Sequence, residues 1–571
     1  MPFVASSPRL PVLFVALCLL AAACTGSDAA PRPTGTGGPT GGPRPTEGTG
    51  ESPELAAGEI AELACSLPHE WLLRTWRGHH AERSAELQIL PIEPNYVGAG
   101  LPHVGPWRYT QDIPMFWYGP GHVAPSGEVA RPVTLAGIAP TQGELLGFPF
   151  RTPDGSPMRE AVAGNATPPK LILTIIWDAA GMNVLERWPD DWPYLRSLIP
   201  QGTWYERATV GTTPTSTAQT HATIGTGMFP RNHGISAHRM RIGGELTTPW
   251  KLGPRYFTAP TLGDLYDVAM DNEPVVGELG TVSIHLGMLG HGSLWGGGDR
   301  DIAVIREKLG AETLGAEGFE WNLTPVLQPF YRFPGYINDV PGFDDDVRAV
   351  DAADGALDGR WRDNEIAPLL SGFDTPARIP YQTRVLTKLI EEERFGADDV
   401  PDLLFVNFKM IDYISHVWTM DGVEMQDAVR AQDEQLEVLV DFLDETVGEG
   451  EWAFVLTADH GSIPDPALSG AFQISATPIA NGINETFGNA DDDAKIVELV
   501  QPTQMFVNVE ALEANGHTLE DVSAWIMGLT KADVAQPGVE VPADEAGDPV
   551  FQAAFPSNML GELPCLPEAR E

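Results

Sequence analysis

Carboxylate and imidazole side chains follow three apolar runs of the sequence, and these side-chain types can hold a metal ion. The runs are 171–177, 403–408 and 453–457. The side chains that follow them are Asp178, Asp412, His416, Asp459 and His460. Aspartate oxygens and histidine nitrogens are common ligands of divalent metals such as zinc. Because they follow three similar runs, these residues together predict one metal site. A single residue of either type would not justify that prediction.

Short strands buried on both faces are the elements that would position these residues. Each run is rich in β-branched and aromatic side chains, as is typical of inner strands of a parallel sheet. The carboxyl ends of such strands form the ligand-binding edge of open α/β folds. Asp412 and His416 are spaced i, i+4, so a helix would present both on one face. A helix to cover the sheet is predicted at 426–447, with the apolar face Val429, Leu436, Leu439, Val440 and Leu443.

A hydroxyl-rich segment at 211–235 lies between the first and second runs. Thr217, Thr220 and His221 fall near the start of a predicted helix in this segment. Free backbone N–H groups at a helix start favour an anion. The alternative is an ordinary Ser/Thr-rich turn. The nearby carboxylates and imidazoles favour an anion site beside a metal site.

In combination and order, four motifs of the chain resemble those of the alkaline phosphatase superfamily. The resemblance is strongest to its branch of type I phosphodiesterases and nucleotide pyrophosphatases, and it covers most of the chain after residue 60. The motifs are WD at 177–178, PTSTAQTHATIGTG at 214–227, DYISH at 412–416 and TADHG at 457–461. The resemblance implies an α/β fold with an alkaline-phosphatase-like, mostly parallel central sheet, flanking helices and an inserted cap region.

The resemblance also implies two divalent metal ions, usually zinc, and a threonine nucleophile at Thr217. By position, the ligands of the first ion would be Asp178, Thr217, Asp459 and His460. The second ion would be held by Asp412 and His416, together with one more histidine. In the family that histidine follows the DHG motif, but here only His517 does, in a segment predicted to be a surface helix start capped by Thr518.

Residues 98–148 resemble the family's closing segment although they precede the first apolar run. The simplest account is a circular permutation in which His103 supplies the missing ligand. Chain ends that lie close together make such rewiring tolerable. The alternative is that His103 is an ordinary loop histidine in an added domain.

Two residues are candidates for substrate contact because of their positions in the motifs. Thr220 stands where the phosphodiesterase branch has an asparagine. His285 follows a predicted strand whose counterpart in phosphomonoesterase relatives precedes a lysine and an arginine that contact phosphate. Both departures leave the choice between diester and monoester substrates open.

The first 24 residues have the features of an export signal, with Arg9 before an apolar run too short to span a bilayer. The sequence Ala21–Cys24 is close to a bacterial lipobox, so Cys24 is the predicted lipidation site, with simple cleavage as the alternative. Residues 25–56 are rich in Gly, Pro and Thr and predict a flexible linker.

Two cysteines, Cys65 and Cys565, remain outside the export signal. If the chain is permuted, its mature ends are neighbours. An exported chain meets an oxidising environment, which favours a disulfide between them. The alternative is two unpaired buried thiols.

The composition limits the class of partner. The chain has 571 residues and a net charge of −44, which argues against a nucleic-acid-binding module. Residues 57–165 are predicted to be the permuted C-terminal-type segment, and 166–571 the main catalytic domain with a cap insertion at about 301–378.

The function that follows is that of an exported phosphohydrolase, either secreted or a cell-surface lipoprotein anchored to the membrane through Cys24. It would cleave phosphodiester or nucleotide pyrophosphate bonds of a small phosphate-ester substrate through a threonine phospho-enzyme. A phosphomonoesterase of the alkaline phosphatase type is the main alternative. A non-catalytic surface binding protein on the same fold is a more remote one.

Overall fold

The computed structural model describes the greater part of the chain after the predicted linker. The described ranges are 57–164, 167–306, 321–370, 375–489 and 494–570. The predicted export signal, Cys24 and the linker lie outside the described residues. None of the helices in these ranges combines the length and the apolar character that a membrane span requires.

Strands and helices alternate along most of the chain. The strands are β1 (Leu87–Pro91), β2 (Tyr96–Val97), β3 (Met115–Tyr118), β4 (Gly127–Thr134), β5 (Leu171–Trp177), β6 (Thr203–Thr209), β7 (Met240–Ile242), β8 (Glu245–Thr247), β9 (Lys251–Pro254), β10 (Val276–Leu279), β11 (Ile302–Val304), β12 (Arg360–Trp361), β13 (Asn364–Glu365), β14 (Asp402–Phe408), β15 (Trp452–Thr457), β16 (Gln473–Ile474), β17 (Val497–Gln501), β18 (Gln504–Val507) and β19 (Phe551–Pro556). The longer helices are Ala57–Cys65, His69–Gly78, Ile138–Leu145, Thr217–Thr226, Leu262–Ala269, Phe343–Asp351, Arg378–Glu393, Met410–Trp418, Val423–Leu443, Ala476–Phe487 and Leu519–Met527.

An eight-stranded central sheet has the order β11-β10-β14-β5-β15-β3-β6-β4. All its neighbouring pairs are parallel except those of β3, which runs antiparallel to both β15 and β6. The three apolar runs of the sequence are β14, β5 and β15, which lie side by side at the centre. The predicted α/β fold with a mostly parallel sheet is confirmed.

The register of the three central strands sets the position of the residues that follow them. Trp177 of β5 pairs with Phe408 of β14, and Ile176 pairs with Thr457 of β15. Every residue of these strands is buried. Both faces of the sheet are therefore covered, which explains why the runs lack a two-residue alternation.

The helix Val423–Leu443 covers part of this sheet as predicted. Its buried side chains include the whole predicted apolar face, Val429, Leu436, Leu439, Val440 and Leu443. The predicted start of the helix Leu519–Met527 is also confirmed, because the Thr518 side chain accepts a hydrogen bond from the backbone N–H of Asp521.

The early part of the chain contributes to both large sheets. Strands β3 and β4 belong to the central sheet. Strand β1 lies in a second, antiparallel sheet of order β17-β18-β1-β19, between two strands from near the end of the chain. The early and late segments thus share one sheet, as a permuted chain would require, while the permutation itself stays a prediction.

The start of the range predicted as a cap insertion includes a strand of the central sheet. Strand β11 pairs in parallel with β10 and forms the outer edge of the sheet. Residues 302–304 of the predicted range, about 301–378, thus belong to the central sheet, and the division of the chain into domains stays a prediction. A three-residue strand carries too little periodicity to be recognised in the sequence. The later part of the range holds β12, β13 and the helix Phe343–Asp351.

The two ends of the described chain meet beside the second sheet. Cys65 and Cys565 form a disulfide with their Cα atoms 5.7 Å apart. Around them, Ile60 and Leu72 pack in one apolar cluster with Phe555 and Leu560. The disulfide and this cluster together tie the first helix to the last strand.

Removing the disulfide should destabilise the protein without changing its fold. The bond joins residues 500 positions apart, and closing a long loop stabilises by roughly 2–5 kcal/mol. The double variant Cys65→Ser/Cys565→Ser should lose about that much unfolding free energy in urea titrations. Reductant should lower the stability of the unmodified protein and leave the variant unaffected. Equal stability of the two proteins would mean that packing alone holds the ends.

Candidate functional site

The carboxyl ends of β14, β5 and β15 bring the predicted ligands to one edge of the central sheet. Asp178 directly follows β5. Lys409 directly follows β14, and the helix Met410–Trp418 then begins at once and carries Asp412 and His416 on one face. Asp459 and His460 lie two and three residues beyond the end of β15. Side chains from two segments separated by more than 200 residues thus meet because their strands are neighbours in register.

His103 reaches this edge from a loop that follows β2. Thr215 holds the loop, because its Oγ1 donates to the His103 carbonyl at 2.7 Å and accepts from the Gly105 N–H at 3.2 Å. The His103 Nε2 atom lies 3.2 Å from Asp412 Oδ1. The structure therefore places this early histidine beside Asp412 and His416.

His103, Asp412 and His416 form the first of two ligand clusters. The Nδ1 atoms of the two histidines face the carbonyl oxygens of Thr215 and Gly100, at 3.3 Å and 2.7 Å. A carbonyl oxygen only accepts, so each Nδ1 carries a hydrogen, and a ring in its neutral form keeps its lone pair on Nε2.

These lone pairs point at a carboxylate oxygen. The Nε2 atoms of His103 and His416 lie 3.2 Å and 3.5 Å from Asp412 Oδ1. Among the described residues that oxygen has no hydrogen-bond donor. Acceptors facing one another in a buried position repel unless a cation lies between them, so the arrangement fits a metal ion.

Asp178, Asp459 and His460 form the second cluster, and all three are fully buried. His460 donates from Nδ1 to the Gly461 carbonyl at 3.1 Å. Its Nε2 lies 3.2 Å from Asp459 Oδ2 and 3.7 Å from Asp178 Oδ1, and the described part of the chain offers it no hydrogen-bond partner. Burial, followed by the charge of Asp178, raises the pKa of Asp459 well above its usual range. Burial lowers the pKa of His460, so the ring is neutral.

The two clusters adjoin each other. The rings of His103 and His460 stack with their centroids 3.7 Å apart. Each cluster offers carboxylate oxygens and unprotonated imidazole nitrogens, the donor set that zinc and similar divalent ions prefer. The residues present therefore fit divalent metal ions at both positions.

Thr217 is the first residue of the helix Thr217–Thr226 and faces these clusters. Its Oγ1 lies 3.3 Å from the Lys409 ammonium, which in turn contacts Asp178 Oδ1 at 3.0 Å. The hydroxyl is thus one contact away from Asp178, next to backbone N–H groups of a helix start.

Lys409 is a site residue that the motif patterns did not predict. Its ammonium also contacts Asp412 Oδ2, at 2.7 Å. Burial opposes its charge, but Asp178, Asp412 and Asp459 outweigh that effect and raise its pKa well above the ordinary value. The available signal was its position, directly after a buried strand and three residues before Asp412.

His285 was predicted to contact substrate, but the structure turns it towards Asp178. The ring is fully buried. Its Nδ1 accepts from the Thr281 N–H at 3.0 Å, so the hydrogen of the neutral ring is on Nε2. That Nε2 faces Asp178 Oδ2 at 3.6 Å, and among the described residues it has no hydrogen-bond partner. His285 therefore faces a carboxylate from a buried position, and its contact with substrate stays a prediction.

Thr220, the other predicted substrate contact, is fully buried as well. Its hydroxyl lies 3.0 Å from the Thr217 carbonyl and 3.3 Å from Asp459 Oδ2. These acceptors take up its single hydrogen, so the side chain supports the helix start and Asp459. The local reach of a threonine hydroxyl to carbonyls one turn back explains the orientation.

Asn407 and His221 complete the support of Asp178. The Asn407 amide donates to Asp178 Oδ2 at 2.8 Å and to His221 Nε2 at 2.9 Å. His221 Nδ1 donates to the Thr217 carbonyl at 2.8 Å. Asp178, His221 and His285 also lie close enough to hold a metal, but His221 Nε2 already accepts from Asn407 and His285 Nε2 carries the hydrogen of its neutral ring.

A mostly parallel sheet that delivers clustered aspartates and histidines beside a threonine at a helix start defines an enzyme of the alkaline phosphatase superfamily, whose members use divalent metals. Residues 172–546 match the family described as type I phosphodiesterase / nucleotide pyrophosphatase, and the chain belongs to this family. It is accordingly a hydrolase that acts on phosphate esters.

Several known proteins are similar to this chain. A calcium-transporting ATPase of Myroides odoratus is 24% identical over 416 residues, which cover 64% of this chain and 73% of that protein. The alkaline phosphatase PhoK of Sphingomonas sp is 24% identical over 324 residues, or 52% of this chain and 56% of PhoK. The crystal structure of wild type alkaline phosphatase PafA aligns with a TM-score of 0.47 and 18% identity, over 68% of this chain and 85% of PafA.

His103→Ala should weaken metal binding at the first cluster. Loss of a ligand should reduce affinity by more than the roughly 10–100-fold that loss of a supporting partner costs. Metal analysis after dialysis against metal-free buffer would measure the bound ions per chain. His517→Ala, at a partly exposed histidine whose Nδ1 lies 3.9 Å from Asp521, is the matched control. Equal metal content in His103→Ala and the control would contradict the assignment.

His285→Ala should weaken metal binding at the second cluster by roughly 10–100-fold, because Asp178 loses the N–H that faces its Oδ2 at 3.6 Å. His285→Gln should lose less, since its amide keeps an N–H near the position of Nε2. Competition titrations with a chromogenic chelator would give the two affinities. The same loss in both variants would show that the N–H donor is not what matters.

Proposed function

We propose that this protein is a two-metal phosphohydrolase that cleaves phosphodiester or nucleotide pyrophosphate bonds through a phosphorylated threonine. The observation that carries the proposal is the position of Thr217. Thr217 is the first residue of its helix. Its Oγ1 lies 3.3 Å from the Lys409 ammonium and faces the two clusters of candidate metal ligands. A hydroxyl placed in this way is suited to be a nucleophile.

Two divalent ions, zinc on the basis of the donor set, belong to this proposal. The first would be held by Asp178, Asp459, His460 and Thr217, and the second by His103, Asp412 and His416. When bound, such ions lower the pKa of coordinated hydroxyls and offset the charge of a phosphate group.

The residues of the chain would then perform the following steps. Thr217 Oγ1 attacks the phosphorus in line and gives up its proton, while the bond to the alcohol or phosphate opposite breaks and that group leaves with a proton. Water attacks the same phosphorus in the second step, the bond to Oγ1 breaks, the threonine hydroxyl regains a proton, and the phosphate product is released. Backbone N–H groups at the helix start stabilise a non-bridging oxygen. Asn407 holds Asp178 in place, and Thr220 supports Asp459.

Export is part of the same proposal. Residues 1–24 have the pattern of an export signal, with Cys24 as a lipid attachment point. The disulfide Cys65–Cys565 suits an oxidising compartment. The net charge of −44 disfavours nucleic acid as a partner. A small phosphate ester would instead be attracted locally by the metal ions and Lys409.

A phosphomonoesterase is the second candidate. Thr220 replaces the asparagine of the phosphodiesterase branch, and its hydroxyl is directed at Asp459 and not at an open side. In addition, Lys409 brings a fixed positive charge next to the nucleophile. The substitution at Thr220 and the charge of Lys409 both bear on the negative charge of the phosphoryl group that the site can accept.

Thr217→Ala should abolish hydrolysis of bis(4-nitrophenyl) phosphate by the metal-loaded protein. Loss of a nucleophile should reduce kcat by at least about a thousandfold. Thr217→Ser should keep measurable activity, because a hydroxyl remains at the same place. Thr258→Ala, which changes an exposed threonine, is the control.

Chelation should likewise stop the reaction, and readdition of Zn²⁺ should restore it. Full activity of Thr217→Ala would remove this residue as the nucleophile. A metal-loaded wild type that cleaves none of a panel of mono- and diesters would reject the proposed function as a whole.

A further inference from the structure

Lys409 lies between the two ligand clusters and touches a carboxylate of each. Its Nζ is 3.0 Å from Asp178 Oδ1 and 2.7 Å from Asp412 Oδ2. The third contact is Thr217 Oγ1 at 3.3 Å. A lysine head group is thus fixed at the point where the nucleophile and the two clusters meet, with only 7% of the residue exposed.

The charges of the site show what this ammonium changes. The two clusters hold three carboxylates, from Asp178, Asp412 and Asp459, and three imidazoles whose Nδ1 hydrogens are donated to carbonyls. Two divalent cations would leave one positive charge, and a deprotonated Thr217 would cancel it. Lys409 adds one positive charge in a buried setting, where charges interact strongly.

The position of the ammonium decides which part of a substrate it can reach. When a phosphorus atom is bonded to Thr217 Oγ1, its non-bridging oxygens lie close to Oγ1. The Lys409 Nζ is within hydrogen-bonding range of Oγ1. An ammonium donates up to three hydrogens in different directions. It can therefore donate to a phosphoryl oxygen while it keeps a carboxylate partner.

We infer that Lys409 binds the transferred phosphoryl group and directs the site towards dianionic phosphate groups, as in phosphomonoesters, over monoanionic diesters. A monoester presents three non-bridging oxygens and two charges, whereas a diester presents two oxygens and one charge. This inference rests on the two-metal threonine phosphohydrolase proposed above, and between its two candidate substrate classes it favours the second, the phosphomonoesters. The alternative is a purely structural role, in which Lys409 only holds Asp178 and Asp412 in place.

Lys409→Met removes the charge and keeps most of the side-chain volume. In the metal-loaded protein, inorganic phosphate should bind about ten- to a hundredfold more weakly, the range for one hydrogen bond to a charged group. The kcat/KM for 4-nitrophenyl phosphate should fall about tenfold more than that for bis(4-nitrophenyl) phosphate. Lys409→Arg, which keeps a positive charge, should retain more of the monoester preference than Lys409→Met.

Metal content separates the inference from the alternative. Lys409→Met should keep the metal content of the wild type, since none of the ligands is removed. A fall in metal content with equal losses on both substrates would overturn the inference and assign Lys409 a supporting role. Unchanged phosphate affinity would overturn it as well. Lys388→Met is the matched control, because Lys388 pairs with Glu392 on the surface.

A test on the wild type avoids any effect of substitution on folding. Calorimetry should show that inorganic phosphate binds more than about tenfold more tightly than dimethyl phosphate, and equal affinities would count against the inference. If the wild type binds phosphate with this preference, Lys409→Met loses it, and neither ester is cleaved, the proposed function fails while the role of Lys409 stands. If it cleaves both esters without preference for the dianion, the inference fails alone.

Discussion

The site depends on one electrostatic constraint, the burial of three carboxylates at a sheet edge with imidazole lone pairs directed at them. Acceptor atoms that face each other in a low-dielectric interior raise the free energy of the folded chain unless cations separate them. Strand register fixes the carboxylates, and backbone carbonyls fix the rings. Even Ala179, next to Asp178, adopts a left-handed φ of 63° and donates its N–H to Asp459 Oδ1. The folded frame thus holds in place an arrangement that bound metal would stabilise.

The backbone group that faces Nδ1 decides what the Nε2 atom of each histidine in the site can offer. His103, His416 and His460 face carbonyl oxygens, so each presents a lone pair on Nε2. His285 faces a backbone N–H, so its Nε2 carries a hydrogen, which is turned towards Asp178. The same side chain type can therefore offer the site a lone pair or an N–H according to one main-chain contact. On Asp178 itself, Oδ2 accepts from Asn407 and Oδ1 contacts Lys409.

The site exists only when distant parts of the chain fold together. His103 arrives from a loop after β2, and Thr215 of the hydroxyl-rich segment holds that loop. The early strand β1 is inserted between β18 and β19, and the disulfide Cys65–Cys565 closes the ends. The closed ends of the chain and the candidate metal site therefore share the same early segment.

The sequence by itself determined the elements and most of the ligands. Strands β5, β14 and β15 follow from their composition, Asp412 and His416 from helical spacing, and the apolar face of Val423–Leu443 from its period. These features depend on residue types at short spacings along the chain, and such spacings can be recognised in the sequence. Only the tertiary structure decided the roles of Lys409, Asn407, His285 and Thr220, and the place of β11 at the sheet edge. Each of those depends on a neighbour remote in sequence or on one main-chain hydrogen bond, and no spacing of residue types encodes either.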